Sequence, residues 1–184
     1  SQYSDIKSDI DNAVIDVIES GQYINGPAVQ NFTSNLAQYL SVNHVIPCAN
    51  GTDALQVALM ALDLKQGDEV ITTDFTFASS VEVIALLGLK PVLVDVEMDT
   101  FNIDVDKISS AITSNTKAII PVHLFGQTAE MDKIMKLAEE NNVLNYSIYP
   151  FPVTQLSYGR KKNLFKSSIT SDQENYDFTN LNKI

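Results

Sequence analysis

With 184 residues, 45% of them apolar, the chain is long enough to bury one good core. Its 12 Lys+Arg against 23 Asp+Glu leave a formal charge of −11, which argues against a surface that gains affinity by neutralising phosphates of nucleic acid or an anionic membrane. The single cysteine, Cys48, excludes an internal disulfide and, with only two histidines, an ordinary structural zinc site. No apolar run approaches the roughly 18 to 20 residues of a membrane span, and the polar start Ser1-Gln2-Tyr3-Ser4-Asp5 lacks signal-peptide character, so a reducing, cytoplasmic setting is expected.

Ile6, Ile10, Val14, Val17 and Ile18 step at three and four residues, the stripe of an amphipathic helix from about Asp5 to Glu19 that Gly21 is placed to end. Pro27 sits where a first helical residue tolerates proline, and Val29, Phe32, Leu36 and Tyr39 give a second helix ending near Leu40. The β-prone run His44-Val45-Ile46-Pro47-Cys48 predicts a strand, after which Asn50-Gly51-Thr52 opens a helix through Leu55, Leu59, Met60 and Leu62. Glu69 to Thr73 predicts a strand, followed by the loop Asp74-Phe75-Thr76-Phe77 and a helix through Val81, Ile84 and Leu87 that Gly88 ends. Two nearly all-apolar runs, Pro91 to Val96 and Ala118 to His123, look like strands covered on both faces. A short helix is predicted between them, through Ile103, Ile108 and Ile112, and another from Met131 to Asn141. This alternation predicts an α/β fold: a mostly parallel sheet with helices on both faces.

Residue 143 divides the chain by composition. Residues 1–143 hold 7 Lys+Arg and 20 Asp+Glu, whereas 144–184 hold 5 and 3 and show no apolar period. The tail is therefore expected to pack poorly and to leave the preceding domain with exposed apolar surface.

In open parallel sheets, ligands bind beyond the carboxyl ends of the strands, so the loops holding Asn50-Gly51-Thr52-Asp53, Asp74 to Phe77, Glu97 to Thr100 and His123 to Gln127 are expected to converge there. Gly51 permits close backbone approach, and free N–H groups where a helix opens, with the Thr52 hydroxyl, suit a phosphate. By spacing alone the same residues read as a turn with a helix cap. Phe75 and Phe77 can cover the core or stack on a flat ligand ring. His123 reads as a hydrogen-bonded histidine at a strand end, His44 and Cys48 as structural, and Asp95, Glu97 and Asp99 as a turn favoured by backbone chemistry.

Taken in order, Gly21-Gln22-Tyr23-Ile24-Asn25-Gly26-Pro27, Asn50-Gly51-Thr52-Asp53-Ala54-Leu55, Gly67-Asp68-Glu69-Val70-Ile71, Phe75-Thr76-Phe77-Ala78-Ser79, Pro91-Val92-Leu93-Val94-Asp95-Val96 and Pro121-Val122-His123-Leu124-Phe125-Gly126 form a recognisable set. Over about residues 3–143 the chain resembles the DegT/DnrJ/EryC1/StrS family of pyridoxal-phosphate-dependent sugar aminotransferases. The resemblance implies a fold-type I aminotransferase large domain, here truncated, and, in the full-length family, a smaller carboxyl-terminal domain and a homodimer. It implies that Gly51, Thr52 and Asp53 hold the phosphate of pyridoxal 5'-phosphate and that Phe77 stacks on its pyridine ring, while Phe75 is left to cover the core. The implied activity moves an amino group from glutamate to a nucleotide-linked keto-sugar, for surface polysaccharide or related sugar biosynthesis. A dehydratase of the same fold, with histidine in place of the catalytic lysine, and a non-catalytic binding or interaction module are the alternatives.

In that scheme a lysine carries the cofactor and moves the proton, and an acidic residue keeps the pyridine nitrogen protonated. Both belong to segments after Val143, an Asp-x-x-Gln or Asp-x-x-His and then a Ser-x-Lys-Asn, and neither pattern occurs in 144–184. Lys162-Asn163 is only a faint echo within the basic run Arg160-Lys161-Lys162, so the chain alone is expected to be inactive.

Overall fold

A computed structural model describes residues 2–145; Lys162 and all but the first two residues of the compositional tail lie outside the described residues. The chain divides into two compact units, Ser1–Pro47 and the part from Cys48 onward.

The first unit consists of α1 (Gln2–Ser20) and α2 (Pro27–Leu40). Helix α1 is broken by non-helical backbone at Ile6 and ends where Gly21 turns left-handed at φ +66°. Pro27 opens α2 as its missing N–H and fixed φ predict, and a Cβ on the capping residue Gly26 would stand 2.3 Å from the Gln22 carbonyl oxygen. Only glycine fits that turn. The stripe Ile6, Ile10, Val14 and Ile18 is present on α1 but exposed, and α2 buries no residue fully.

The second unit runs α3 (Gly51–Met60), β1 (Glu69–Thr73), α4 (Ser79–Leu86), β2 (Lys90–Val94), α5 (Val105–Ala111), β3 (Thr116–Ile120), a 3-10 turn (Leu124–Gly126), α6 (Met131–Glu140) and β4 (Leu144–Asn145). Among the described residues the strands form one sheet in the order β2-β1-β3-β4, every pairing parallel. Successive side chains of a strand point to opposite faces, and the core divides accordingly. Val70, Ala118 and Ile120 pack with Leu55 and Leu59 of α3 and Val83 and Ile84 of α4, while Ile71 and Ile119 pack with Ile108 of α5 and Ile134 and Ala138 of α6. Helices thus cover both faces, and each fully buried branched side chain contributes about 1.5–3 kcal/mol.

Three expectations are corrected. His44 to Cys48 forms no strand: the run is β-prone, yet no strand pairs with it among the described residues. The run from Pro91 is not covered on both faces, because β2 lies at the edge of the described sheet with Leu93 50% exposed. It also stops at Val94, since the Asp95 side chain takes the Val96 N–H and Val96 pairs antiparallel with Ile103. The third run ends at Ile120, where Pro121 has no N–H for a ladder. Among the described residues no helix is long and apolar enough to cross a membrane.

Candidate active site at the carboxyl edge of the sheet

Helix α3 leads through residues 61–68 into the start of β1, where the Gly67 N–H donates to the Gly88 carbonyl at 3.0 Å. Its carboxyl end therefore lies toward the amino edge of the sheet. Lying along the sheet with Leu55 and Leu59 inward, and about 15 Å long for its ten residues, α3 directs its amino terminus toward the edge where β1, β2 and β3 end. Helix α4 runs the same way, leaving the β1 loop at Ser79 and reaching Gly88 at the other end. Gly51, Thr52, Asp53, Phe77 and His123 consequently share the carboxyl edge, as their loops predict.

The turn before α3 is held by one residue. Asn50 Oδ1 accepts the Asp53 N–H at 2.9 Å, its Nδ2 donates to Asp53 Oδ2 at 3.0 Å, and its carbonyl accepts the Ala54 N–H at 3.1 Å. The capping reading is thus correct as far as it goes. It leaves the Gly51 and Thr52 N–H groups and the Thr52 hydroxyl without hydrogen-bond partners among the described residues. Nothing lies within 4 Å of where a Cβ on Gly51 would be, so approach to those donors is open. Two backbone donors, a hydroxyl and the positive end of the helix dipole form a donor set that fits a phosphate. Asp53 offers no free donor: its N–H and one carboxylate oxygen are engaged by Asn50, so it shapes the turn.

Phe77 presents its ring to solvent, 69% exposed, just ahead of α4. Its carbonyl accepts the Ser80 N–H at 3.1 Å, and the Thr76 and Ser80 hydroxyls pair at 3.0 Å, which fixes the loop at both sides of the ring. Phe75 does not cover the core. It is 48% exposed and packs on Phe101 at 5.5 Å between centroids, and Phe101 meets Phe125 edge-on at 6.3 Å. These rings come from the loops after β1, β2 and β3. Phe101 and Phe125 hold left-handed backbone, φ +56° and +52°, which bulky residues adopt only under constraint.

His123 is buried, and its Nδ1 accepts the Ala129 N–H at 3.1 Å, which places the proton of the neutral ring on Nε2. Burial pushes its pKa down, so it is neutral at pH 7 and holds the loop as a structural histidine. Glu97 lies in a turn, its carbonyl accepting from the Phe101 N–H and its carboxylate from the Thr100 hydroxyl.

Two groups were not legible in the sequence. Asn102, buried, accepts the Leu124 N–H on Oδ1 at 3.0 Å while its carbonyl accepts from the Glu97 N–H. At the opposite edge, the buried Glu69 carboxylate accepts Lys90 Nζ at 2.8 Å, the Thr113 hydroxyl at 2.6 Å and the Thr116 hydroxyl at 3.4 Å. The Lys90 and Thr113 hydrogen bonds hold that carboxyl below its usual range.

Residues 4–145 match the profile of the DegT/DnrJ/EryC1/StrS aminotransferase family. The chain is 46% identical over 143 residues to the UDP-2-acetamido-2-deoxy-3-oxo-D-glucuronate aminotransferase of Pseudomonas aeruginosa, a match covering 78% of this chain and 40% of that protein. It is 42% identical to the crystal structure of a DegT DnrJ EryC1 StrS aminotransferase from Brucella abortus, with a TM-score of 0.75 over 78% of this chain and 40% of that one. NtdA from Bacillus subtilis, solved with bound cofactor PMP, gives 38% identity and a TM-score of 0.74 over 77% of this chain and 32% of that one. The chain spans about two fifths of the length of the curated relatives it matches. Its α/β fold with a parallel sheet is that of the fold-type I aminotransferases. By motif order, fold and identity alike, the chain belongs to the DegT/DnrJ/EryC1/StrS aminotransferase family.

Proposed function

We propose that this chain is the cofactor-holding part of a nucleotide-sugar aminotransferase, an enzyme that moves an amino group from glutamate to a nucleotide-linked keto-sugar. The observation that carries the reading is the pair of unengaged N–H groups at Gly51 and Thr52, beside a free hydroxyl and on the same sheet edge as the exposed ring of Phe77. In this reading Gly51 and Thr52 bind the cofactor phosphate through backbone N–H and the Thr52 hydroxyl. Asn50 and Asp53 hold the turn in shape, and Phe77 lies against the pyridine ring and keeps water from one face of it. Pyridoxal phosphate, when bound, supplies the electron sink for moving the amino group. The identity to the Pseudomonas aeruginosa glucuronate aminotransferase supports a keto-sugar on a nucleotide as the acceptor. A homodimer in the cytoplasm is part of the same proposal; the exposed, unpaired Cys48 suits a reducing compartment.

The test is calorimetric titration of the 184-residue chain with pyridoxamine phosphate, which has no aldehyde to react with surface lysines, against pyridoxamine lacking the phosphate. Saturable binding that needs the phosphate and is lost in Gly51→Val supports the reading; equal binding of both compounds, or none, sinks it.

A further inference from the structure

The loops after β1, β2 and β3 are tied together at the carboxyl edge by two adjacent residues of the β2 loop, and neither belongs to the turn before α3. Phe101 touches Phe75 of the β1 loop on one side, with centroids 5.5 Å apart, and Phe125 of the β3 loop on the other, at 6.3 Å. Asn102, the next residue, is buried and accepts the Leu124 N–H at 3.0 Å, a bond from the β2 loop to the β3 loop across 22 positions of sequence. The loop that carries them is itself closed: the Phe101 N–H donates to the Glu97 carbonyl at 2.8 Å, the Glu97 N–H to the Asn102 carbonyl at 2.9 Å, and Val96 bridges Ile103. Phe101 holds left-handed backbone at φ +56°. That conformation is unfavourable for an aromatic residue and persists only where surrounding contacts fix it.

We propose that Phe101 and Asn102 are positioning residues of the active site: they clamp the loop bearing Phe75 and Phe77 to the loop bearing His123 and Phe125, so that the Phe77 ring meets a flat cofactor ring already oriented. The part that concerns the cofactor rests on the functional reading above. The mechanical part stands on the contacts themselves. Binding to a preset ring avoids ordering the loop at the moment of binding, and freeing the loop transfers that ordering cost to the affinity. Neither residue needs to touch the cofactor for this.

Residue-resolved amide hydrogen exchange on the full chain tests the clamp without any ligand. In Phe101→Ala, exchange at residues 74–78 and 124–126 should rise roughly three- to tenfold, while the amides of β1 and β3 keep their wild-type rates. Phe101→Tyr, which keeps the ring, should restore wild-type exchange. Asn102→Ala should loosen residues 124–126 first, and because it orphans a partly buried N–H the milder Phe101 pair decides if that variant does not fold. Titration with pyridoxamine phosphate should show a severalfold loss of affinity in Phe101→Ala and recovery in Phe101→Tyr. Unchanged loop exchange in Phe101→Ala overturns the clamp, as does acceleration spread equally over the strands. Wild-type affinity in a variant whose loops are loosened overturns the positioning role. If the wild-type chain binds no pyridoxamine phosphate, the functional reading and the positioning role fail together, and the exchange rates alone decide the mechanical tie.

Discussion

The two edges of one sheet solve the same problem in opposite ways. At the amino edge a buried carboxylate, Glu69, gathers Lys90, Thr113 and Thr116 from the chain at the starts of the neighbouring strands, so its acceptors are filled from within the protein. At the carboxyl edge the Gly51 and Thr52 donors are left open, and the rings of Phe77 and Phe125 are left uncovered. A polar network satisfied from within staples strands; donors left unsatisfied on the same edge as an exposed ring make a candidate ligand site. The contrast marks the carboxyl edge as the candidate site without appeal to any single motif.

The largest expected effect falls on what both edges share. Ile71→Ala removes a fully buried side chain of the central strand and should cost about 2–5 kcal/mol in a denaturant melt, weakening ligand binding and the Glu69 staple together. A variant that lost binding and kept full stability would show that the edges do not depend on a common slab. Gly51→Val sharpens the contrast from one side: a Cβ there has nothing within 4 Å beyond its chain neighbours and its own helix backbone, so stability should fall little, while pyridoxamine phosphate affinity should drop about tenfold or more, equivalent to about 1.4 kcal/mol. Phe77→Ala should cost about 0.5–1.5 kcal/mol of the same affinity with the melt unmoved, since that ring is mostly exposed.

The edges should also separate along the pH axis. His123 has its pKa lowered from 6.5 by burial, so below about 6.5 the unfolded chain takes up a proton that the folded chain refuses. Stability is therefore full above that value and declines as pH falls toward the lowered folded value. Glu69 has its pKa lowered from 4.5, so its contribution is present above 4.5 and is lost as pH falls through the still lower folded value. Melting temperature against pH should show the histidine-linked decline first and the glutamate-linked decline at more acid pH; Glu69→Gln should remove the second and leave the first. A single decline abolished by Glu69→Gln would contradict the assignment. Smallest, but decisive for catalysis, is a null result. Borohydride treatment of the chain with pyridoxal phosphate should leave no stoichiometric cofactor at one lysine, because no Ser-x-Lys-Asn segment occurs after Val143. Reduction confined to Lys162 would overturn that expectation.

What could be read from sequence follows the range of the interactions. Helix α2 and strand β1 have the expected bounds, Pro27 to Leu40 and Glu69 to Thr73, because proline, glycine and local periodicity set them. Local β-preference failed at His44 to Cys48, where it had no neighbouring strand to act on, and apolarity misled at Leu93, since an apolar run does not say which side is covered. The capped turn at Asn50 to Asp53 was visible because its parts lie within four residues, while the phosphate role proposed for it came from the resemblance to the family. Asn102 and Glu69 were not visible, because Leu124 lies 22 residues from Asn102 and the three partners of Glu69 lie 21, 44 and 47 residues away, and only the folded sheet brings them close.

The left-handed backbone at Phe125 sets its ring and its main chain at odds. Replacing it by glycine would remove a penalty of about 1–2 kcal/mol and forfeit the edge contact to Phe101, worth about 0.5–1.5 kcal/mol. The two nearly cancel, so Phe125→Gly would pass for a silent change in any stability screen while stripping the carboxyl edge of its most exposed ring among the described phenylalanines, 73% open to solvent. Thermostability selection would be blind to this position, and drift there would surface only as a looser tie between the loops that Phe101 joins.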